Sequence, residues 1–122
     1  IEDEVKLLGY LAENEMLKLF HAATLKVFPS LYEGFGLPVL EAMASGLPVV
    51  AGNNSSIPEV AGSAALLLPD AKVEIWAKEI INLLSNRDQR EKFSLLGVEQ
   101  AKKFTWQATA EKTLKAYQYF MR

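Results

Sequence analysis

The 122-residue sequence has no cysteine and a single histidine, His21. The first absence excludes disulfides, thiolate metal sites and a cysteine nucleophile, and the second excludes a multi-histidine metal centre. Charge of one sign is lacking too. Thirteen Lys and Arg stand against fifteen Asp and Glu, a net charge of −2. With no broad basic field, nucleic acid is not an expected partner. Long hydrophobic runs are missing as well: stretches such as Ala64–Leu68 fall far below the ~20 apolar residues that span a bilayer. The chain opens Ile1-Glu2-Asp3-Glu4, without the positive n-region of a secretory signal. That opening reads as a cut made inside a larger protein. No internal repeat, linker or low-complexity segment is visible.

What is present is a sequence half hydrophobic and 23% charged, the balance of a globular domain with a sizeable core. Its length suits one domain, residues 1–122. Val5, Leu7 and Leu8 read as a short strand stopped by Gly9, followed by a helical spacing of Met16, Leu17, Phe20 and Ala23 over 13–23. Leu25–Phe28 reads as a second strand, and a loop and a helix closed by Gly46 follow it. Pro48–Ala51 is apolar throughout, as a strand covered on both faces should be. Asn53–Ser56 reads as a turn, with Ser56 and Glu59 spaced as a capping box on a short helix that Gly62 closes. Ala64–Leu68 reads as a fourth strand. The remainder reads as helical: 73–84, 88–104, and a last helix capped by Thr105. Strands alternating with helices predict an α/β fold, a Rossmann-like parallel sheet with helices on both faces and an all-helical C-terminal segment.

The chemistry concentrates in Phe28–Ala44, F-P-S-L-Y-E-G-F-G-L-P-V-L-E-A-M-A. Gly34 and Gly36 bring bare backbone to the mouth of a helix, and Pro38 suits its first position. A helix start offers unpaired N–H groups and partial positive charge, a natural anion site. Glu33 precedes it, and Glu41 lies about one turn inside, leaning back toward the N-terminus. One loop could thus hold an anion by backbone and a polyol by two carboxylates, the requirements of a sugar nucleotide. The structural alternative for the pair is a loop carboxylate and a helix carboxylate that stabilises the dipole by ~0.3–1 kcal/mol. The acid/base pair of a glycosidase is a second alternative.

Glu33 and Glu41, with seven residues between them in E-G-F-G-L-P-V-L-E-A-M-A, resemble the E-x7-E motif of the family-4 (group 1) retaining GT-B glycosyltransferases. The likeness continues through Ser45–Ala51, Ile57–Gly62 and Phe104-Thr105-Trp106, so nearly the whole chain resembles that family's C-terminal domain. The resemblance implies a donor-binding domain that takes a sugar from a nucleotide diphosphate. Glu33 would be the catalytic carboxylate beside the donor sugar's hydroxyls, and Glu41 would bind the ribose. Gly34, Phe35, Gly36 and Leu37 would contact donor sugar and phosphate through backbone. Gly9, Tyr10 and Leu11 fall where the family contacts the nucleobase, although an ordinary strand-to-helix turn accounts for them equally. No metal or other cofactor is implied.

The family's acceptor-binding N-terminal domain, its phosphate-binding arginine and lysine, and about two strands of the donor domain do not precede Ile1. The chain alone is therefore expected to be inactive, and to self-associate through uncovered apolar surface. Localisation is expected to be cytoplasmic, with the full-length enzyme at the membrane periphery if anywhere. The rival reading is a non-catalytic nucleotide- or sugar-binding regulatory module of the same fold, and a further one is an unrelated doubly wound nucleotide-binding domain. His21 reads as a helix-surface residue, Glu59 as a cap, Trp76 and Trp106 as packing residues, and Ser30 and Ser55 as turn formers. Lys26 departs from the family's apolar strand position.

Overall fold

The computed structural model describes residues 2–69 and 72–121. After a 3-10 turn at Glu2–Glu4 come α1 (Glu13–Ala22), β1 (Lys26–Phe28), α2 (Leu37–Ala44), β2 (Val49–Gly52) and α3 (Ile57–Ala61). β3 (Leu66–Leu68), α4 (Val73–Ser85), α5 (Arg87–Ala101) and α6 (Trp106–Phe120) complete the chain. The three strands form a parallel sheet in the order β1-β2-β3, with Val27 opposite Val50 and Ala51 opposite Leu67.

β2 is central, and all four of its residues are buried. Its side chains alternate between two cores. Val49 and Ala51 join Phe20, Val39, Met43, Ile57 and Ala61, with Leu96 and Ala101 packed against them, so α1, α2, α3 and α5 cover one face. Val50 points the other way, joining Leu68 and Leu83 with Leu25, Trp76 and Ile80 beneath α4. Helices thus cover both faces, as the alternating pattern predicts. α2 and α5 meet closely because Gly97 has no side chain. A Cβ there would lie 3.4 Å from Met43 Cα.

The predicted strand at Val5–Leu8 does not form. Among the described residues those positions pair with nothing, and Leu7 is 97% exposed. A strand exists only through its ladder, and the segment has no neighbouring strand at the β1 edge. The fourth predicted strand is present but shorter, beginning at Leu66 rather than Ala64. The helix predicted over 88–104 ends at Ala101, and Lys103 and Phe104 donate to Gln100 and Ala101 carbonyls in a closing turn. Gly46 ends α2 as predicted. It adopts φ +73° while Leu47 N–H reaches back to Ala42 O at 3.0 Å, the αL turn that satisfies a helix's last carbonyls. Thr105 caps α6, its Oγ1 accepting from Ala108 N–H at 3.1 Å. Among the described residues, no helix is long and apolar enough to cross a membrane.

Candidate functional site

The chain leaves the C-terminal edge of β1 at Phe28 and crosses the sheet's rim before entering α2. Parallel α/β sheets bind ligands at this rim. The crossing segment is fastened to the turn that follows β2. Glu33 N–H donates to Ser55 Oγ at 2.9 Å, and Ser56 Oγ donates to Glu33 O at 2.9 Å. Asn54 Nδ2 donates to Ser30 O at 3.1 Å. The Glu33 carboxylate itself is engaged, with Ser30 Oγ donating to Oε1 at 2.7 Å. Glu33 is half-buried, and its backbone and side chain are both fixed from within the protein.

Two backbone features make the approach possible. Gly52 closes β2, and a Cβ on it would lie 3.0 Å from Ser30 O, so only a glycine lets the two loops run so near. Ser55 holds φ +46°, the one non-glycine residue with positive φ in the described structure. That strained conformation aims its hydroxyl at the Glu33 amide.

Beyond Glu33, Gly36 is the N-cap of α2 with φ +98°. Its carbonyl accepts from Val39 N–H at 3.0 Å and Leu40 N–H at 3.2 Å. Pro38 sits at the second helical position rather than the predicted first, since Leu37 already has helical geometry. It still removes an N–H that would have been orphaned. No hydrogen bond among the described residues reaches the N–H groups of Gly34, Phe35, Gly36 or Leu37. These four consecutive donors stand at the positive end of a helix dipole, where an anion is favoured; Gly34, Phe35 and Leu37 are exposed, and Gly36 is buried.

Glu41 is the fifth residue of α2 and is exposed. Its charge acts on Lys26 of β1. Burial lowers the Lys26 pKa from its ordinary value, and Glu41 opposes part of that shift. Lys26 Nζ lies 4.8 Å from the Phe20 ring centre and 5.9 Å from that of Phe28. The strand's cation is thus tucked over aromatic faces beneath α2 and is not spread on an open edge. Phe35 packs edge-to-face on Phe104, 5.8 Å between centroids, tying the loop to the end of α5.

Glu33 through Leu37 and Glu41 thus lie along one short path at the sheet rim. Gly9, Tyr10 and Leu11 precede α1 in irregular chain, with Tyr10 97% exposed. Among the described residues no hydrogen bond or ring contact joins them to the loop. The capping box expected of Ser56 and Glu59 is absent, because Ser56 is already in the helical region (φ −83°, ψ −13°) and Glu59 N–H donates to its backbone carbonyl at 3.1 Å; its hydroxyl donates to Glu33 O instead. Trp106 is 90% exposed and packs nothing, whereas Trp76 packs under the sheet and donates to Pro69 O at 3.3 Å. His21 is exposed, as expected.

Sequence reasoning missed the anchoring roles of Ser30, Asn54, Ser55, Ser56 and Phe104. The serine-rich turn after β2 was the visible trace of Asn54, Ser55 and Ser56, whereas Ser30 reads only as a turn former and Phe104 only as part of the family resemblance. Depressions elsewhere on the described surface lie away from the Glu33 carboxylate. An apolar groove of about 550 Å³ lies between Val27, Pro29, Leu31 and the α4 residues Val73, Trp76 and Ile80. A polar hollow at the α4–α5 turn holds none of the loop's residues. Its polar groups serve the turn, where Asn86 Oδ1 caps α5 by accepting from Gln89 N–H at 3.0 Å.

Residues 1–103 match the family model described as glycosyl transferases group 1. The chain belongs to that family. It is 40% identical over 116 residues to the O-antigen chain mannosyltransferase B of Escherichia coli, covering 95% of this chain and 30% of that protein. It is 33% identical over 119 residues to the D-inositol 3-phosphate glycosyltransferase of Nocardia farcinica, covering 96% and 26%. The group 1 domain also superposes on sucrose-phosphate synthase from Thermosynechococcus elongatus. The TM-score is 0.84 at 28% identity, over 98% of this chain and 31% of the other. Its fold is the Rossmann-like unit of GT-B glycosyltransferases. The chain spans between a quarter and a third of the length of these curated relatives.

Proposed function

We propose that this group 1 domain is the donor-binding half of a family-4 retaining glycosyltransferase, and that residues 1–122 form one domain. It would bind a nucleotide diphosphate sugar and deliver the sugar to an acceptor hydroxyl held elsewhere in the whole enzyme. The observation that supports this reading is the rim of the sheet, where the backbone N–H groups of Gly34–Leu37, which meet no hydrogen-bond acceptor among the described residues, lie in the chain between Glu33 and Glu41. A diphosphate suits the N–H groups. Ribose and sugar hydroxyls suit the carboxylates, because ionised carboxylates only accept and hydroxyls donate.

In this scheme Glu41, set back on the helix, takes the ribose, and Glu33, ahead of the helix mouth, takes the donor sugar. The Gly34–Leu37 backbone stabilises the charge that grows on the leaving diphosphate. Glu33 orients the sugar and supports positive character at the anomeric carbon without forming a covalent bond to it. No protein-bound metal enters the scheme. The mannosyltransferase among the relatives makes a mannosyl donor the first to test. Calorimetric titration of the full-length enzyme with nucleotide diphosphates and their mannose and glucose conjugates tests the reading. Binding of one nucleotide diphosphate, tightened or matched by its sugar conjugate, is expected. An enzyme that binds none of them overturns it.

A further inference from the structure

We infer that Ser30 is a positioning residue for sugar transfer: its hydroxyl fixes the Glu33 carboxylate while Asn54 and Ser56 fix the backbone that carries both. The inference rests on the reading that Glu33 faces the donor sugar. Four observations converge on it.

The Ser30 Oγ to Glu33 Oε1 distance of 2.7 Å lies in the short range of hydroxyl-to-carboxylate hydrogen bonds, the stronger, charge-assisted kind. The same hydroxyl has a second acceptor in Tyr32 O at 3.2 Å, a longer and neutral contact, so the carboxylate is favoured for its single proton. Next, Ser30 is itself pinned. Asn54 Nδ2 donates to its carbonyl, and Gly52 allows that carbonyl to approach the end of β2. Third, Glu33 is gripped on both sides of its own peptide, by Ser55 at the N–H and Ser56 at the carbonyl. Finally, the turn that supplies these groups contains the strained Ser55, at φ +46°.

One carboxylate oxygen is therefore committed to the protein, and Oε2 has no hydrogen bond among the described residues. A long, flexible glutamate would otherwise sample several rotamers, and ordering it would oppose each turnover. With Oε1 held, Oε2 is presented in one direction. The effect belongs to orientation at the reacting sugar, and nucleotide affinity is set elsewhere, at the α2 mouth and Glu41.

The test uses the full-length enzyme with Ser30→Ala, Ser30→Thr, Glu33→Gln and the Ser30→Ala/Glu33→Gln pair. Ser30→Ala should lower kcat on the order of tenfold, the worth of one hydrogen bond to a charged group. The Kd for the nucleotide diphosphate should stay unchanged, and Ser30→Thr, which keeps the hydroxyl, should restore turnover. In the Glu33→Gln background Ser30→Ala should add little, because residues acting through one another are not additive. Full activity in Ser30→Ala, or equal losses with and without Glu33, overturns the positioning role. If Glu33→Gln itself leaves kcat intact, the assignment of Glu33 to the sugar fails instead, which separates the two failures. Thermal melting checks that each variant folds. Should Ser30→Ala not fold, Ser30→Cys, with only a weak S–H donor, takes its place under the same criteria.

Discussion

A Cβ built on Gly36 would lie 2.5 Å from Ile57 Cδ1, and Gly36 stands at φ +98°. The cap of α2 is therefore closed down on the first residue of α3: a side chain there would have to displace the Ile57 Cδ1 methyl, and the backbone conformation disfavours one. Gly36→Ala should destabilise the fold by ~1–3 kcal/mol through overpacking and backbone strain. Because the same residue shapes the helix mouth proposed to hold the diphosphate, donor affinity should fall as well. Ile57→Val removes the Cδ1 methyl at a cost of its own, so in the Ile57→Val background Gly36→Ala should cost less than in the parent, yet still something, because the strained φ remains. Melting temperature and calorimetric Kd, taken together on the three variants, test this. A double variant as stable as Ile57→Val alone would show that the clash alone matters.

The two carboxylates should fail differently. If Glu41 holds the ribose as proposed, Glu41→Gln weakens an interaction made equally before and during transfer, so binding of donor and of free nucleotide diphosphate should drop by an amount equivalent to ~1.5–3 kcal/mol. In the proposed scheme, Glu33→Gln removes an interaction that strengthens only as positive character grows on the sugar. Its main effect should be on kcat, with nucleotide diphosphate affinity nearly unchanged. Steady-state kinetics and calorimetry on each variant check the pair. The opposite pattern would reverse the placement of the donor.

Taken by itself the 122-residue chain should not transfer sugar. Its relatives are three to four times as long as the stretch they share with it, and no acceptor site is assigned to any residue here. Incubation with nucleotide sugars and acceptors should give no turnover near the order of 1 per second typical of enzymes.

Lys26 makes a stability prediction with a definite sign. Burial lowers its folded-state pKa, with Glu41 offsetting part of the shift. The folded protein therefore releases this proton at lower pH than the unfolded chain, whose lysines titrate near ~10.4. Between the two values the unfolded state holds more protons, so stability rises with pH there. Below the folded pKa the desolvation cost is present in full. Lys26→Met removes it while still covering Phe20, so the variant should melt higher than the parent at neutral pH. The gap should narrow as pH climbs toward the unfolded value. A gap that widens with pH would reject the argument.

How much of this was legible beforehand varied with the kind of signal. The apolar run Pro48–Ala51 announced a central strand, and Gly46 and Thr105 marked helix ends through conformations or caps that few other residues supply. The Gly36–Pro38 pattern likewise announced a helix mouth. Val5–Leu8 misled because alternation describes which residues could form a strand, while pairing decides whether they do. Ser56 and Glu59 misled in another way. Their spacing fits a capping box, but a capping residue is extended, and Ser56 is already helical, held there while its hydroxyl reaches Glu33 O, 23 positions earlier. Contacts such as Ser30 to Glu33 and Asn54 to Ser30 depend on how closely two loops approach. That approach depends on Gly52, whose meaning appears only when β1 and β2 lie side by side.

The parallel register at the sheet's edge has one more outcome. Lys26 N–H donates to Pro48 O at 2.9 Å, and in a parallel ladder alternate residues turn both backbone groups to the same neighbour. Lys26 and Phe28 thus face β2, while Val27 turns its N–H and C=O outward, away from the sheet. In deuterated solvent these three adjacent amides should be replaced at very different rates, with Val27 the fastest. Any strand added beside β1, from this protein or another, would register first as a slowing of that one amide.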